Sequence, residues 1–380
     1  MISKFFLSIT SFVSFLIAFL LSTRGVFPYF IDAFILALVV FYYVIYCDRL
    51  IKLRVSLSIV GLWFLFFSFI LISSFYNEVQ PYKYLYYYVF FVVFILCLNM
   101  VSVCQVKFVK CFSAVNFIIC FFSILSFINV LNIPELIYSR SGSERIYGLI
   151  GNPNYFAYMI FINIILINIY KEYFSKYKFI IYQLILTFAV IFSLSRGVLI
   201  GLFFFYLLIN VRALTIKKIS LFICVVCVLF SVVNFSVDSD MIINTINYRI
   251  DNLINGDGSG RFDIWAIGFE SISSHLDKII TGVGPNMFGT YAHSLGLNNT
   301  THNSFLRLFF ELGIFGFGLF FVMMGYFFKK IECISLNMKI AIAVGVSFSW
   351  LSNDFILNKE TWVLLAMLVS YDTLKREEYN

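Results

Sequence analysis

The chain has 380 residues, of which 61% are hydrophobic, 20% are aromatic and only 12% are charged, and its formal net charge is +7. So few charged residues cannot cover the surface of a soluble globular protein, and long apolar runs recur along the whole sequence. The composition therefore excludes a soluble enzyme and predicts an all-α, polytopic membrane protein, because a run of about 20 apolar residues crosses a bilayer as a helix. The sequence contains no nucleic-acid-binding motif.

Hydropathy predicts about twelve transmembrane helices, of which the last two are short. Most Lys and Arg residues lie in alternate loops, a bias that places both termini in the cytoplasm. The first span has no small-residue cleavage site and is expected to be retained. The predicted spans are residues 5–21, 31–46, 56–75, 84–102, 112–131, 153–170, 179–194, 198–211, 219–235, 304–328, 340–351 and 362–371.

The longest polar stretch, residues 237–303, divides the chain into a region of nine spans (1–236) and a region of three spans (304–380). The charge bias places this large loop outside the cytoplasm. It contains all three histidines, His275, His293 and His302, and a glycine-rich run. We predict that the reacting groups gather here, because the rest of the chain offers little water-exposed polar sequence.

Two arginines on the outer side indicate an anion site. Arg196 lies in the short turn between the seventh and eighth spans, so it is held at the membrane boundary, and Arg261 follows the glycine-rich run. A guanidinium binds phosphate oxygens in a bidentate manner, and a lipid-linked pyrophosphate is an anion found at that depth. The alternative is that both arginines reach ordinary lipid headgroups.

A smaller outer loop, residues 132–152, carries Arg145 and ends in Asn152-Pro153-Asn154. Here an Asn cap and a Pro in the first helical turn predict the start of the sixth span. The outer loop of residues 353–360 offers no evident chemistry.

His302 is the sharpest candidate for a general base. It precedes a long span, where the helix dipole and nearby arginines favour a neutral imidazole that can accept a proton from a hydroxyl. The alternative is a histidine that caps or packs at the interface. His275 and His293 are interpreted as structural, and the spacing of the three histidines does not predict a zinc site.

Within the tenth span, Arg307 and Glu311 are four residues apart and therefore lie on one face of the helix. Charges inside a span are costly and usually face the interior of a helix bundle. We interpret the pair as a positioning element, with a catalytic role as the alternative.

Several motifs occur in a fixed order between residues 145 and 318, and together they resemble the O-antigen polymerase and O-antigen ligase superfamily of bacterial envelope enzymes. The first five spans resemble it only in hydropathy. The motifs are Arg145-Ile-Tyr-Gly148-Leu-Ile-Gly151-Asn152-Pro153-Asn154, Ser195-Arg196-Gly197, Gly260-Arg261-Phe-Asp-Ile-Trp265, Gly282-Val-Gly284, His302-Asn303-Ser-Phe-Leu and Glu311-Leu-Gly313-Ile-Phe-Gly316.

The resemblance implies an integral-membrane glycosyltransferase of the GT-C type that needs no metal or other cofactor. Its donor is a glycan on undecaprenyl pyrophosphate, and it acts on the periplasmic face of the bacterial inner membrane. By position, His302 matches the loop histidine that acts as base, while Arg196 and Arg261 match the arginines that bind pyrophosphate. The surrounding candidates for substrate binding are Arg145, Asn152, Asn154, Asn303, Arg307 and Glu311.

Three functions remain open on this basis. In a polymerase the acceptor is another lipid-linked repeat unit, and the resemblance then suggests a chain-length regulator as partner. In a ligase the acceptor is the lipid A core. The aromatic-rich, low-charge composition favours the polymerase. A flippase or exporter of lipid-linked oligosaccharide is the third alternative, but the sequence has no internal repeat of the kind found in many transporters.

Overall fold

The computed structural model of the protein describes residues 15–23, 57–140, 143–210, 261–273, 276–294, 301–356 and 358–379. The predicted spans at 31–46 and 219–235, the glycine-rich run and His275 lie outside these ranges. Residues 15–22 are helical. The longer helices are α1 (Leu57–Tyr76), α2 (Pro81–Phe127), α3 (Pro153–Ile169), α4 (Lys176–Phe192), α5 (Arg196–Ile209), α6 (Arg261–Ser273), α7 (Leu276–Thr281), α8 (Phe288–Ser294), α9 (Ser304–Lys330), α10 (Leu336–Ser352) and α11 (Lys359–Tyr379).

The described part of the chain is therefore mostly helical, as the composition predicts. Among its helices, Gln105–Phe127 within α2 and Ser304–Lys330 are long and apolar enough to cross a membrane. The shorter apolar helices include Pro153–Ile169, Arg196–Ile209 and Leu336–Ser352. The spans predicted at 340–351 and 362–371 are confirmed as helices, and both helices are longer than the apolar runs alone indicated.

Helix α2 differs from the prediction of two spans joined by a basic loop. The structure has one continuous helix of 47 residues, and Lys107 and Lys110 lie within it. At about 1.5 Å per residue it is about 70 Å long, more than twice the hydrocarbon thickness of a bilayer. The physical reason is that α2 contains no Gly and no Pro after its first residue, so nothing in the sequence ends the helix.

The loop of residues 132–152 also contains structure that the sequence did not predict. Strands β1 (Ile137–Arg140) and β2 (Ser143–Ile146) form an antiparallel pair in which Tyr138 lies opposite Arg145. Ile146 is fully buried, so the hairpin is anchored at its base.

Two compact units make up the chain. The first contains Met1–Ile35, Val106–Gly256 and Leu336–Ser349, and the second contains Leu36–Gln105, Asp257–Ser335 and Trp350–Asn380. Each unit is therefore assembled from stretches that are distant in the sequence.

Helix α3 forms the centre of the first unit. Its residues from Phe156 to Ile169 are all buried, as expected for a helix that is apolar around its whole circumference. Within this core, Ser113 Oγ donates a hydrogen bond to Asn163 Oδ1 at 2.9 Å. Helix α5 approaches α10 so closely that a Cβ on Gly201 would collide with the carbonyl oxygen of Gly345.

Helix α9 organises the second unit and packs against α1 and α7. It is broken at Gly313, where φ is 64° and ψ is −173°. The carbonyls of Phe310 and Glu311, which a continuous helix would pair internally, accept hydrogen bonds from the backbone N–H groups of Val283 and Gly284 at 2.9 and 3.0 Å. Residues 282–286, here called the strap, thus replace the helical bonds that α9 loses at its break.

Candidate functional site

The turn that carries Arg196 is short and unusually shaped. Helix α4 ends at Phe192 and α5 begins at Arg196, so only three residues connect them. Leu194 has φ of 52°, which costs free energy for a residue with a side chain. The Ser195 hydroxyl is buried and has no hydrogen-bond partner. Arg196 itself is half-buried in the first turn of α5, where free backbone N–H groups and the helix dipole favour an anion.

Arg145 connects the hairpin to this turn. Its Nε donates to the carbonyl oxygen of Ser193 at 2.7 Å, and its Nη2 donates to Asn154 Oδ1 at 3.0 Å. The residue is only 6% exposed. The Ser193 carbonyl is one of the unpaired acceptors at the negative end of α4, so the positive guanidinium lies where a helix dipole stabilises it.

The predicted Asn cap of α3 is confirmed. Asn152 Oδ1 accepts hydrogen bonds from the backbone N–H groups of Asn154 and Tyr155, and Pro153 occupies the first helical position. The side chain of Asn152 therefore holds the start of α3, while that of Asn154 holds Arg145. Next to Arg145 in β2, partial burial raises the pKa of the Glu144 carboxyl above its ordinary value.

In the second unit, His302 lies at the junction between the large loop and α9. It is half-buried and has φ of 49°, in the left-handed region that few non-glycine residues adopt. The next residue, Asn303, caps α9: its Oδ1 accepts hydrogen bonds from the N–H groups of Phe305 and Leu306 at 3.0 and 3.2 Å. The cap fixes where the helix begins and so fixes the backbone beside His302.

The residues on either side of His302 and Asn303 are clamped by distant segments. Thr301 Oγ1 donates to Asp354 Oδ1 at 2.6 Å, and the Thr301 carbonyl accepts from Trp265 Nε1 at 2.9 Å. Ser304 Oγ donates to the Asn353 carbonyl at 2.8 Å. Residues 353–354, which belong to a loop in which the sequence revealed no chemistry, therefore hold the histidine junction.

Arg307 and Glu311 contact each other, as their spacing predicts. Arg307 Nε lies 3.1 Å from Glu311 Oε1, and its Nη2 donates to Asn286 Oδ1 at 2.8 Å. Glu311 Oε2 accepts from the backbone N–H of Asn286 at 2.8 Å. A second carboxylate oxygen, Asp354 Oδ2, is 3.9 Å from Arg307 Nη1. One guanidinium is thus shared by two carboxylates, and the pair joins α9 to the strap.

The predicted residues divide between the two units. Arg145, Asn152, Asn154 and the Arg196 turn belong to the first, while Arg261, His302, Asn303, Arg307 and Glu311 belong to the second. Within the second unit, Arg261 begins helix α6, whose Trp265 binds the residue before His302. His293 is exposed in α8. Among the described residues, no group of three His, Cys, Asp or Glu side chains is arranged to hold a metal ion.

One family model matches a continuous part of the chain. Residues 181–321 match the family model described as O-antigen ligase. This match confirms the predicted superfamily. It includes Arg196, Arg261, His302 and Glu311, which lie in the motifs that resemble this superfamily, and Arg307, which lies between the last two motifs. The motif residues Arg145, Asn152 and Asn154 lie outside the matched range. A search of curated proteins finds no significant match.

Four residues that hold the candidate site were assigned no role from the sequence: Ser193, Asn286, Asp354 and Trp265, which only ends one of the motifs. Three of them act through a backbone group or a neutral side chain, which leaves no compositional signal. Asp354 is different, because it is an acid, and a charge within a predicted span such as Arg307 makes any nearby acid a candidate partner.

Proposed function

We propose that this protein is an O-antigen polymerase, a GT-C-type glycosyltransferase that crosses the membrane several times. It joins oligosaccharide repeat units carried on undecaprenyl pyrophosphate, at the periplasmic face of the bacterial inner membrane. The observation that carries the proposal is the family match over residues 181–321, which contains Arg196, Arg261 and His302 in the order of the motifs.

In the proposed reaction, His302 accepts the proton of a sugar hydroxyl on the acceptor glycan. The oxygen attacks the anomeric carbon of the donor glycan, and the bond from that carbon to the pyrophosphate oxygen breaks. Arg196 and Arg261 bind the departing undecaprenyl pyrophosphate, on which negative charge increases in the transition state. This single displacement inverts the anomeric centre and needs no metal or other cofactor.

The half-buried position of Arg196 at the start of α5 supports its assignment to the pyrophosphate. We further propose that a shell of six residues forms and holds the substrate site around these groups: Arg145, Asn152, Asn154, Asn303, Arg307 and Glu311. Within each unit these side chains bind backbone or neighbouring side chains, so each of the two sets has a fixed local geometry.

Contacts in the second unit support the proposed membrane orientation. Segments predicted on the outer side lie together: Tyr76 donates a hydrogen bond to Asp277, and Thr301 donates one to Asp354. At the other end of α9, Arg376 lies 3.3 Å from Glu332, and both are predicted on the inner side.

The proposal is tested with His302→Ala in a strain that lacks the chromosomal copy. We expect normal protein level and a complete loss of glycan chains longer than one repeat unit. In vitro, purified protein and lipid-linked repeat units should give longer products, whereas movement across the bilayer without lengthening would indicate a transporter. Full chain extension by the His302→Ala protein would exclude His302 as the base.

A ligase is the second candidate, because the matching family model is described as O-antigen ligase. Lipopolysaccharide gels separate the two functions. Loss of a polymerase leaves core carrying a single repeat unit, whereas loss of a ligase leaves bare core.

A further inference from the structure

We infer that Arg145 is a positioning residue, which fixes the turn between α4 and α5 and thereby directs Arg196 toward the pyrophosphate. The inference rests on the proposed function, and it assigns to Arg145 a contribution to substrate binding that acts through Arg196.

The contacts of Arg145 point into the protein. Two sides of its planar guanidinium are already used, by the Ser193 carbonyl and by Asn154 Oδ1, and 94% of the residue is removed from solvent. Two simultaneous hydrogen bonds to different segments fix the orientation of the guanidinium plane. A residue held in this way supports a neighbouring structure.

The turn needs such support. Leu194 has a left-handed backbone conformation, which persists only where the surroundings impose it. The Ser195 hydroxyl is buried without a hydrogen-bond partner and does not cap α5. The start of α5 therefore lacks the side-chain cap that holds α3 and α9. The bond from Arg145 to the Ser193 carbonyl instead fixes the other end of the turn, at the C-terminus of α4.

The hairpin that carries Arg145 and the helix that carries Asn154 are themselves fixed by other contacts. Arg145 is paired with Tyr138 in the hairpin, beside the fully buried Ile146. Asn154 belongs to the first turn of the buried helix α3, whose start is capped by Asn152. Any change at Arg145 is transmitted over three residues, from Ser193 to Arg196.

The experiment measures binding of undecaprenyl pyrophosphate by the full-length protein in lipid nanodiscs. It compares the parent with Arg145→Lys, Arg196→Gln and the double variant. A lysine cannot reach both acceptors at once, so Arg145→Lys should weaken binding roughly tenfold. Loss of a charged hydrogen bond in Arg196→Gln should weaken it roughly ten- to hundredfold.

The double variant distinguishes an effect of Arg145 through Arg196 from direct binding of pyrophosphate by Arg145. If Arg145 acts through Arg196, the double variant binds as Arg196→Gln does, within about twofold. If the two losses multiply, Arg145 binds the pyrophosphate independently and the inference is wrong. It is also wrong if Arg145→Lys binds as tightly as the parent. An unchanged affinity for Arg196→Gln would instead refute the pyrophosphate role in the proposed function.

Two further variants guard against a simple folding defect. Asn154→Ala removes one acceptor and leaves the bond to Ser193, so it should weaken binding less than Arg145→Lys and should also have no effect in the Arg196→Gln background. Glu144→Gln changes the neighbouring residue of β2, whose side chain points to the other face of the strand, and should bind as the parent does. A purely structural loss would lower the fraction of binding-competent protein and leave the affinity of the remainder unchanged.

Discussion

Removal of the Glu311 side chain should clearly destabilise the second unit. It is almost completely buried, and its two carboxylate oxygens accept from Arg307 and from the backbone N–H of Asn286. Breaking a buried ion pair from one side costs about 3–5 kcal/mol, because the remaining partner is left buried and unpaired. Because Asp354 remains near Arg307 and the Arg307 side chain is 15% exposed, we expect Glu311→Ala to cost about 3 kcal/mol, at the lower end.

The measurement is thermal unfolding of the detergent-solubilised protein, followed by tryptophan fluorescence and size-exclusion chromatography. Glu311→Ala should lower the melting temperature by several degrees. Glu311→Gln should have a smaller effect, because the amide oxygen can still accept one of the two hydrogen bonds.

A matched control is Glu332→Ala. Glu332 also pairs with an arginine, Arg376, but the two side chains are 69% and 47% exposed. An exposed pair contributes about 0–1 kcal/mol, so this variant should melt close to the parent. Equal melting temperatures for Glu311→Ala and the parent, or equal losses in the two alanine variants, would refute the assignment of Glu311 as a buried support of α9.

Three further predictions concern other parts of the two units. Gly313→Ala should lower the melting temperature, because a Cβ at this position would collide with the backbone of residue 280. In Gly318→Ala the new Cβ meets open space, so this variant should stabilise the helix by up to about 1 kcal/mol. Similar melting temperatures for the two variants would contradict this prediction. Asp354→Ala should reduce glycan extension, measured on lipopolysaccharide gels, more than Asp354→Asn does, because the asparagine keeps an acceptor for Thr301. Equal losses of glycan extension in the two variants would instead indicate that the carboxylate charge is required. Burial raises the pKa of the Glu144 carboxyl above its value in the unfolded chain. The contribution of Glu144 to stability is therefore complete below the unfolded pKa and is lost as pH rises through the folded pKa. Glu144→Gln should remove this part of the pH dependence of the melting temperature, and a variant with the same pH dependence as the parent would contradict the prediction.

Hydropathy was sufficient to locate helices, because the side chains of an apolar run must be buried in protein or face lipid along its whole length. Their ends were less predictable. Lys107 and Lys110 suggested a loop, yet a charged side chain does not interrupt backbone hydrogen bonds, and α2 continues past both. The hairpin escaped prediction because four-residue strands carry too short an alternation of polar and apolar residues to stand out.

The candidate site was predictable where single residues carry the signal. Asn152 was recognised as a cap because Pro153 follows it, and Arg307 and Glu311 were paired because four residues are one helical turn. The bond from Arg145 to Ser193 joins residues 48 positions apart, and that from Thr301 to Asp354 joins residues 53 apart. Such long-range pairs depend on how helices pack, and a single sequence contains no direct signal for them.

The close approach of α5 and α10 has a consequence for biosynthesis. The backbone of Gly201 faces that of Gly345, and the ring of Phe204 stacks on that of Phe348 with centroids 4.6 Å apart. A ribosome releases residues 336–349 only after it has synthesised most of the polypeptide. Until then Gly201 and Phe204 lack the partners that α10 provides, and a chain truncated before Leu336 would never acquire them.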